Sequence, residues 1–408
     1  MNKKFIILAA MAAVFGMSFT ACSNDDEVKG GDNNPVNLPT RVAFNAYLDG
    51  ATATRAYDAS EADIQTDGMS VWAFDATKLT AISSAADFFM GGPTAGLEHT
   101  WDGTNSYFKA AADYFWPEYN LNFVALTPQS GGGIGTIGIA QAAADVTDPE
   151  SPVYSKPVMT VAVDIPLTTE SSGTYGSDTQ KDIMIASLEN QGAPSLFAPA
   201  ALTFKHALSQ LVFKGGVDAQ TTIHKAVVKS IKLVNVASDG TITYTAATDN
   251  FSAAINGSGA GQTKTYAANI VNANVTAKIG NVDPEDDDAP NAISGQDNNA
   301  AGRDYQMMIL PQTSVECEDA GITENLSQLD APATGTYLLV NADLYANGDD
   351  VNKVISSDTN VYIPLAETTW APSTKYTYTL KFGDNLLHPI TFTASIAAWT
   401  DASKSVEF

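Results

Sequence analysis

The chain has 408 residues with 46 acidic and 21 basic side chains, a formal charge of −25. That balance repels nucleic acid and anionic lipid surfaces, so neither is expected as a partner, and the acidity reads as solubility. A hydrophobic fraction of 44% excludes a disordered chain, and the length exceeds one small sandwich, so two domains are expected.

Residues 1–21 read as a lipoprotein signal peptide. Lys3 and Lys4 form a basic start, and Phe5 to Phe19 is an apolar run too short for a stable membrane span. It ends in Phe19-Thr20-Ala21-Cys22, where small residues before a cysteine look like a lipobox that makes Cys22 the acylated N-terminus. An ordinary signal peptide cleaved near Ala21, with Cys22 uninvolved, is the alternative. The following Ser23-Asn24-Asp25-Asp26-Glu27 is similar to an acidic tag for the outer face of the outer membrane, and equally readable as a solvated linker. Residues 22–40, with Gly30, Gly31, Pro35 and Pro39, are expected to form a flexible tether. With Cys22 acylated, Cys317 is left alone, and one thiol makes no internal disulfide.

Order is expected from about Arg41. Val42, Phe44, Ala46 and Leu48 alternate with Ala43, Asn45 and Tyr47, the period of a half-buried strand. Asp49 to Asp67, which carries Thr54-Arg55-Ala56, reads as a polar loop. Strands are expected at Met69–Phe74, Ser106–Ala111, Leu121–Leu126, Val158–Ile165 and Asp182–Leu188, and loops at Gly131–Gly138 and Thr168–Gly176.

At the midpoint, Leu202, Phe204, His206 and Leu208 share one strand face, while Leu211 and Phe213 fall on the other parity. A period of two changes parity only at a bulge or break, so this stretch reads as one strand ending a sheet and the next beginning another. A short helix is the alternative. Beyond it, strands are expected at Ala226–Val236, Thr241–Thr245, Tyr305–Leu310, Thr336–Tyr345, Val354–Ile363, Lys375–Phe382 and Ile390–Ala398. Asn281–Asn299 reads as an acidic loop. Many short strands without a sustained helical period predict an all-β chain of two sandwiches, over residues 41–200 and 201–408.

Little suggests chemistry. His99, His206, His224 and His388 include no pair at metal-ligand spacing, and the acidic loop around Asp286 lacks the alternating ligands of a calcium loop. His206 is expected to be a packed, hydrogen-bonded strand residue. Gly131-Gly132-Gly133 lacks the Lys-Ser/Thr of a phosphate loop. No catalytic residue, metal or cofactor is expected, and the protein is not expected to be an enzyme. Trp72, Trp101 and Trp116 suit either a sugar-stacking platform or sandwich cores, which leaves both open.

The central Leu202–Lys214 stretch resembles a motif of the fimbrillin family, lipoproteins that build type V pili. Trp116-Pro117 with Leu121, Phe123, Ala125 and Pro128, then Leu310-Pro311-Gln312, then Trp370, Tyr376-Thr377-Tyr378 and Trp399 are similar to further family patterns. The resemblance implies two tandem transthyretin-like β-sandwich domains in a shaft, tip or anchor subunit of a surface fimbria, serving adhesion. Its partners would be other fimbrial subunits in a homo- or heteropolymer, the outer membrane through the lipid, and a receptor on a host or bacterial surface. It also implies an arginine-specific protease cutting between Arg55 and Ala56, after the first strand; Arg41 is the alternative. Cleavage would strip Val42–Leu48 and open a groove. The alternating face Ile390, Phe392, Ala394, Ile396 and Ala398 is the expected donor strand, resting in its own sandwich before assembly. A monomeric glycan-binding lipoprotein of the outer membrane is the competing reading.

Overall fold

Ala200–His206 and Ser209–Asp218 are separate strands joined by Ala207 and Leu208, both fully buried. The parity change is therefore a break between two sheets. Leu202 and Phe204 enter one hydrophobic core, whereas Leu208, Leu211 and Phe213 enter another. The computed structural model describes residues 41–48, 61–131, 133–148, 153–167, 180–194, 198–219, 223–256, 264–268, 270, 273–279, 290–293, 307–317, 330–332, 334–346, 353–383 and 390–398.

The first sheet closes on itself. Its strands are, in spatial order, Met69–Asp75, Leu97–Asp102, Tyr107–Lys109, Phe44–Leu48, Ala200–His206, Met184–Gln191 and Leu121–Thr127, and the last pairs back to Met69–Asp75. Phe88–Met90 pairs with the end of Met69–Asp75, past the stretch taken by Leu97–Asp102, and buries Met90 in the ring's core. Phe44, Met69, Val71, Phe108, Phe123 and Phe204 fill the interior. Closure removes the unpaired edges that an open sheet would expose.

A sheet of four strands, Ile134–Ala140, Val158–Asp164, Asp239–Thr245 and Asn250–Ile255, supplies Val161, Val163, Ile242 and Tyr244 to the second core. Trp72, Phe74, Val124 and Leu126 reach the same core from the outer face of the ring. For this reason every residue of Leu121–Thr127 is buried.

A two-stranded sheet of Gln312–Thr313 with Thr369–Trp370 and two larger sheets hold the remaining described strands. In one of the larger two, Ser209–Asp218 lies parallel to Thr374–Phe382, which pairs in turn with Ile390–Ala398; Met307–Ile309, Asn291–Ala292 and Lys278–Ile279 line its other side. In the other, Ile223–Val236 pairs with Tyr337–Ala346, beyond which lies Lys353–Pro364, and Lys264–Ala267 and Asn274–Val275 flank it opposite. Side chains of both enter one continuous core that includes Phe213, Val228, Leu233, Val340 and Leu380. The fold is thus nearly all-β.

Residues 39–408 form one compact unit. The 200/201 division drawn from sequence is crossed twice: Ala200–His206 belongs to the ring, and the four-stranded sheet takes two strands from each side.

Other expectations need correction. Glu61–Asp67, the end of the expected polar loop, is a helix that buries Ile64 in the ring. Residues within the expected glycine loop form the strand Ile134–Ala140, because Ile134, Ile137 and Ile139 find apolar partners across Val158–Asp164. Packing overrides the poor strand propensity of glycine there. Gly133 supplies the turn at φ +87°, where a Cβ would lie 2.0 Å from the Asp164 carbonyl oxygen.

Candidate functional site

The first strand lies inside the ring wall. Phe44–Leu48 runs parallel to Ala200–His206 over five register pairs, from Phe44 opposite Ala200 to Leu48 opposite Phe204. Its other side meets Tyr107–Lys109 through Phe44 and Phe108. Just before it, the Val42 N–H donates to the Tyr114 carbonyl and the Ala200 N–H to the Ala43 carbonyl, both at 2.8 Å. Arg41 pairs with Asp113 at 2.8 Å, both side chains about half exposed.

Alternation drives the strand's inward face into the core. Val42, Phe44 and Ala46 are buried, and Leu48 packs against the same cluster. The Phe44 ring is fully enclosed, edge-on to His99 at 5.2 Å and to Phe123 at 5.1 Å. His99 is itself fully buried; its Nδ1–H donates to the Leu97 carbonyl at 2.9 Å, while Nε2 has no hydrogen-bond partner among the described residues. Burial lowers its pKa from 6.5 to about 4, partly opposed by the Leu97 carbonyl, so the imidazole is neutral. Taking Phe44–Leu48 away would open a slot with an aromatic pocket and unpaired backbone groups on both walls.

Ile390–Ala398 has the opposite character. It pairs with Thr374–Phe382 over nine positions, from Phe382 opposite Ile390 to Thr374 opposite Ala398. Among the described residues its other edge has no strand partner. Ile390, Phe392, Ala394, Ile396 and Ala398 therefore occupy a peripheral strand of the last sheet. Cys22, Arg55, Ala56, His388, Trp399 and the acidic stretch 281–289 lie outside the described residues.

His206 is a packed strand residue, as its sequence setting suggests, and its Nδ1 meets Asp182 Oδ2 at 2.5 Å with both side chains almost wholly buried. Asp182 was not singled out in sequence, because nothing local marks a carboxylate 24 residues away as its partner. This pair stands at the changeover between sheets, where Ser373 donates to the His206 carbonyl. Nearby, Gln180 bonds both Met308 N–H and Met308 carbonyl, at 2.8 and 2.9 Å.

The tryptophans do not share a face. Trp72 is fully buried in the core outside the ring, whereas Trp101 and Trp116 pack edge-on to Phe108 and Phe123 of the ring interior. Among the described residues no cluster of three or more His, Cys, Asp or Glu could hold a metal ion. Cys317 Sγ donates to the Thr336 carbonyl at 3.3 Å.

A family model described as fimbrillin-like matches residues 54–399. The chain belongs to the fimbrillin-like family. The matched part of this fimbrillin-like chain starts beyond Phe44–Leu48. A fimbrial protein from Bacteroides vulgatus is similar in fold, with a TM-score of 0.53 at 16% identity over 88% of this chain and 100% of that one. A candidate cell adhesion protein from Bacteroides uniformis aligns at 15% identity over 88% and 98% of the two chains, TM-score 0.40. The tip fimbrial protein Mfa3 from Porphyromonas gingivalis, with a C-terminal truncation, aligns at 10% identity over 89% and 100%, TM-score 0.34. Comparison with curated proteins yields no match.

Proposed function

We propose that this fimbrillin-like chain is a non-enzymatic subunit of an adhesive cell-surface fimbria, assembled by exchange of its first strand. Family membership supports the fimbrial and adhesive role and a surface location. The finer reading takes the chain as two tandem transthyretin-like β-sandwich domains joined through the four-stranded sheet, with the ring, including Ala200–His206, in the first. Cys22 anchors the precursor in the outer membrane by its lipid, and an arginine-specific protease cuts between Arg55 and Ala56. The partners are further subunits of the fimbria and a surface receptor.

The observation that carries this reading is the position of Phe44–Leu48. The strand is an interior member of a closed sheet, yet the polar stretch bearing Arg55 follows it directly. Cutting there detaches one strand and leaves the rest of the ring chain intact. A replacement strand would add about eight backbone hydrogen bonds at roughly 0.5–1.5 kcal/mol each. Each large apolar side chain buried would add roughly 1.5–3 kcal/mol. Together these exceed an association cost of about 4–15 kcal/mol, and Ile390–Ala398 from a neighbouring subunit is the proposed source.

The N-terminus of the protein recovered from filaments tests this. Ala56 is the expected first residue, and filaments built only of chains beginning at Cys22 would refute the mechanism. Deleting 387–408 should confine a folded subunit to a filament end.

A further inference from the structure

The strand that leaves and the strand proposed to replace it share one pattern of inward residues. The slot takes Val42, Phe44, Ala46 and Leu48 at alternate positions, and Ile390, Phe392, Ala394 and Ile396 repeat that series as branched aliphatic, phenylalanine, alanine, aliphatic. Resting on the strand-exchange reading above, we infer that a second copy of this chain inserts Ile390–Ala398 in one register, with Phe392 in the pocket of His99 and Phe123.

Direction follows from the same series. Only a strand running parallel to Ala200–His206, as Phe44–Leu48 does, brings a phenylalanine to the pocket while an alanine meets the next inward position. Run the other way, with Ile396 in place of Val42, it puts Ala394 in the pocket and leaves a void the size of a phenyl ring. Slipped by two in that direction it returns Phe392 to the pocket but drives Ile390 into the place of Ala46; in the parallel direction a slip of two puts an alanine or an isoleucine in the pocket, and a slip of one turns Thr391 and Thr393 inward.

Two other strands approach the pattern and fail it. Leu121–Thr127 has Leu121, Phe123 and Ala125 but is paired on both sides within the ring. Asn250–Ile255 has Phe251, Ala253 and Ile255 at a sheet edge, but Asp249 stands where the slot takes Val42. Asp249 is already bound to Lys205 and the Tyr244 hydroxyl, and Phe251 packs on the Tyr244 ring at 5.2 Å. Ile390–Ala398 alone combines the full series with a sheet edge that has no strand partner among the described residues.

The register is tested by cysteine pairing in assembled filaments. Asn45 lies opposite Ala201, which is exposed, and in the inferred register Thr393 takes the place of Asn45. In a Cys317→Ser background, Ala201→Cys with Thr393→Cys should oxidise to a covalent ladder of subunits, since neighbouring strands bring Cα atoms within disulfide reach. Thr391→Cys or Ser395→Cys with Ala201→Cys should give none. A ladder from either of those pairs instead overturns the register but keeps strand donation. Because Thr393 faces Ala201 in either direction, direction is read at Thr203, which is exposed opposite Tyr47: Ser395→Cys with Thr203→Cys should form the ladder, and a ladder from Thr391→Cys with Thr203→Cys instead overturns the parallel direction. Filaments without a ladder from any pair overturn donation by this strand. If unmodified protein, cut after Arg55, forms no filaments, the exchange reading itself fails, and this inference with it. Independently, Phe392→Ala should shorten the lifetime of the subunit contact by roughly 100-fold or more, and an unchanged lifetime overturns the role of the pocket.

Discussion

The Phe44 ring stands edge-on to the His99 imidazole, 5.2 Å between centroids, with both side chains sealed inside the ring. The strand thereby keeps His99 out of water, and the two are thermodynamically linked. His99 titrates at about 4 in the native state and near 6.5 once exposed. The open state therefore binds the extra proton as pH falls below 6.5, and native stability is lost progressively down to about pH 4. The span corresponds to about 3 kcal/mol. Urea titrations at pH 7.5 and pH 4.5 should show this fall in the intact chain, and His99→Leu should flatten it. A pH dependence unchanged in His99→Leu would place the linkage elsewhere.

Phe44→Ala should destabilise the uncut chain by about 3–5 kcal/mol, because the pocket walls are strands that do not collapse to fill the void. After a cut behind Arg55 and loss of the first strand, the same substitution should have no effect, since the residue has gone with it. Thermal unfolding of both forms separates the two cases. A substitution that is silent in the uncut chain would mean that Phe44 does not hold the strand.

Much of this architecture is legible in alternation alone. Ile390–Ala398 shows the same bounds in sequence and structure, and the parity change read between Leu208 and Leu211 marks a break between sheets that falls slightly earlier, at Ala207 and Leu208, with Leu208 already in the other core. Strands with one weak apolar face escape such a reading. Leu97–Asp102, LEHTWD, buries only His99 outright, so nothing local marks it as the wall of the aromatic pocket. Pairing partners are less legible still. That Phe44–Leu48 lies beside Ala200–His206, more than 150 residues on, depends on ring closure, a property of seven strands together. The Asp182–His206 contact is hidden for the same reason.

Asp182→Ala should cost about 3 kcal/mol, because it leaves the His206 ring nitrogen without its buried acceptor. Asp182→Asn, which retains an acceptor oxygen, should cost less. The check is a shift of the denaturation midpoint with the slope unchanged. Equal stability of the alanine variant and the parent would show that the pair carries no net energy at the changeover between sheets.

The halves 41–200 and 201–408 should not fold apart. Val158–Asp164 and Asp239–Thr245 pair over seven positions across that division, and Ala200–His206 supplies a wall of the ring. Gln180 adds bonds to Met308. The full chain should therefore melt in one transition, and either half expressed alone should be insoluble or lack cooperative unfolding. Two independent transitions, each reproduced by an isolated half, would contradict this.

Only three arginines are present, Arg41, Arg55 and Arg303, so processing by an arginine-specific protease has few outcomes. Proteases bind extended backbone whose hydrogen bonds are free, and cutting concentrates where none must first be broken. The backbone at Arg41 is already committed: Arg41 bridges to Phe115, the Val42 N–H donates to the Tyr114 carbonyl, and the side chain pairs with Asp113. Cleavage there requires the start of the first strand to peel away, and would leave Phe44–Leu48 in its slot. Native protein treated with such a protease should yield a new N-terminus at Ala56, Arg41→Ala should process normally, and Arg55→Ala should keep its first strand. Cleavage after Arg303 is distinguished by its internal fragments. A native product that begins at Val42, or normal processing of Arg55→Ala, would overturn the expectation and with it the route by which the slot is opened.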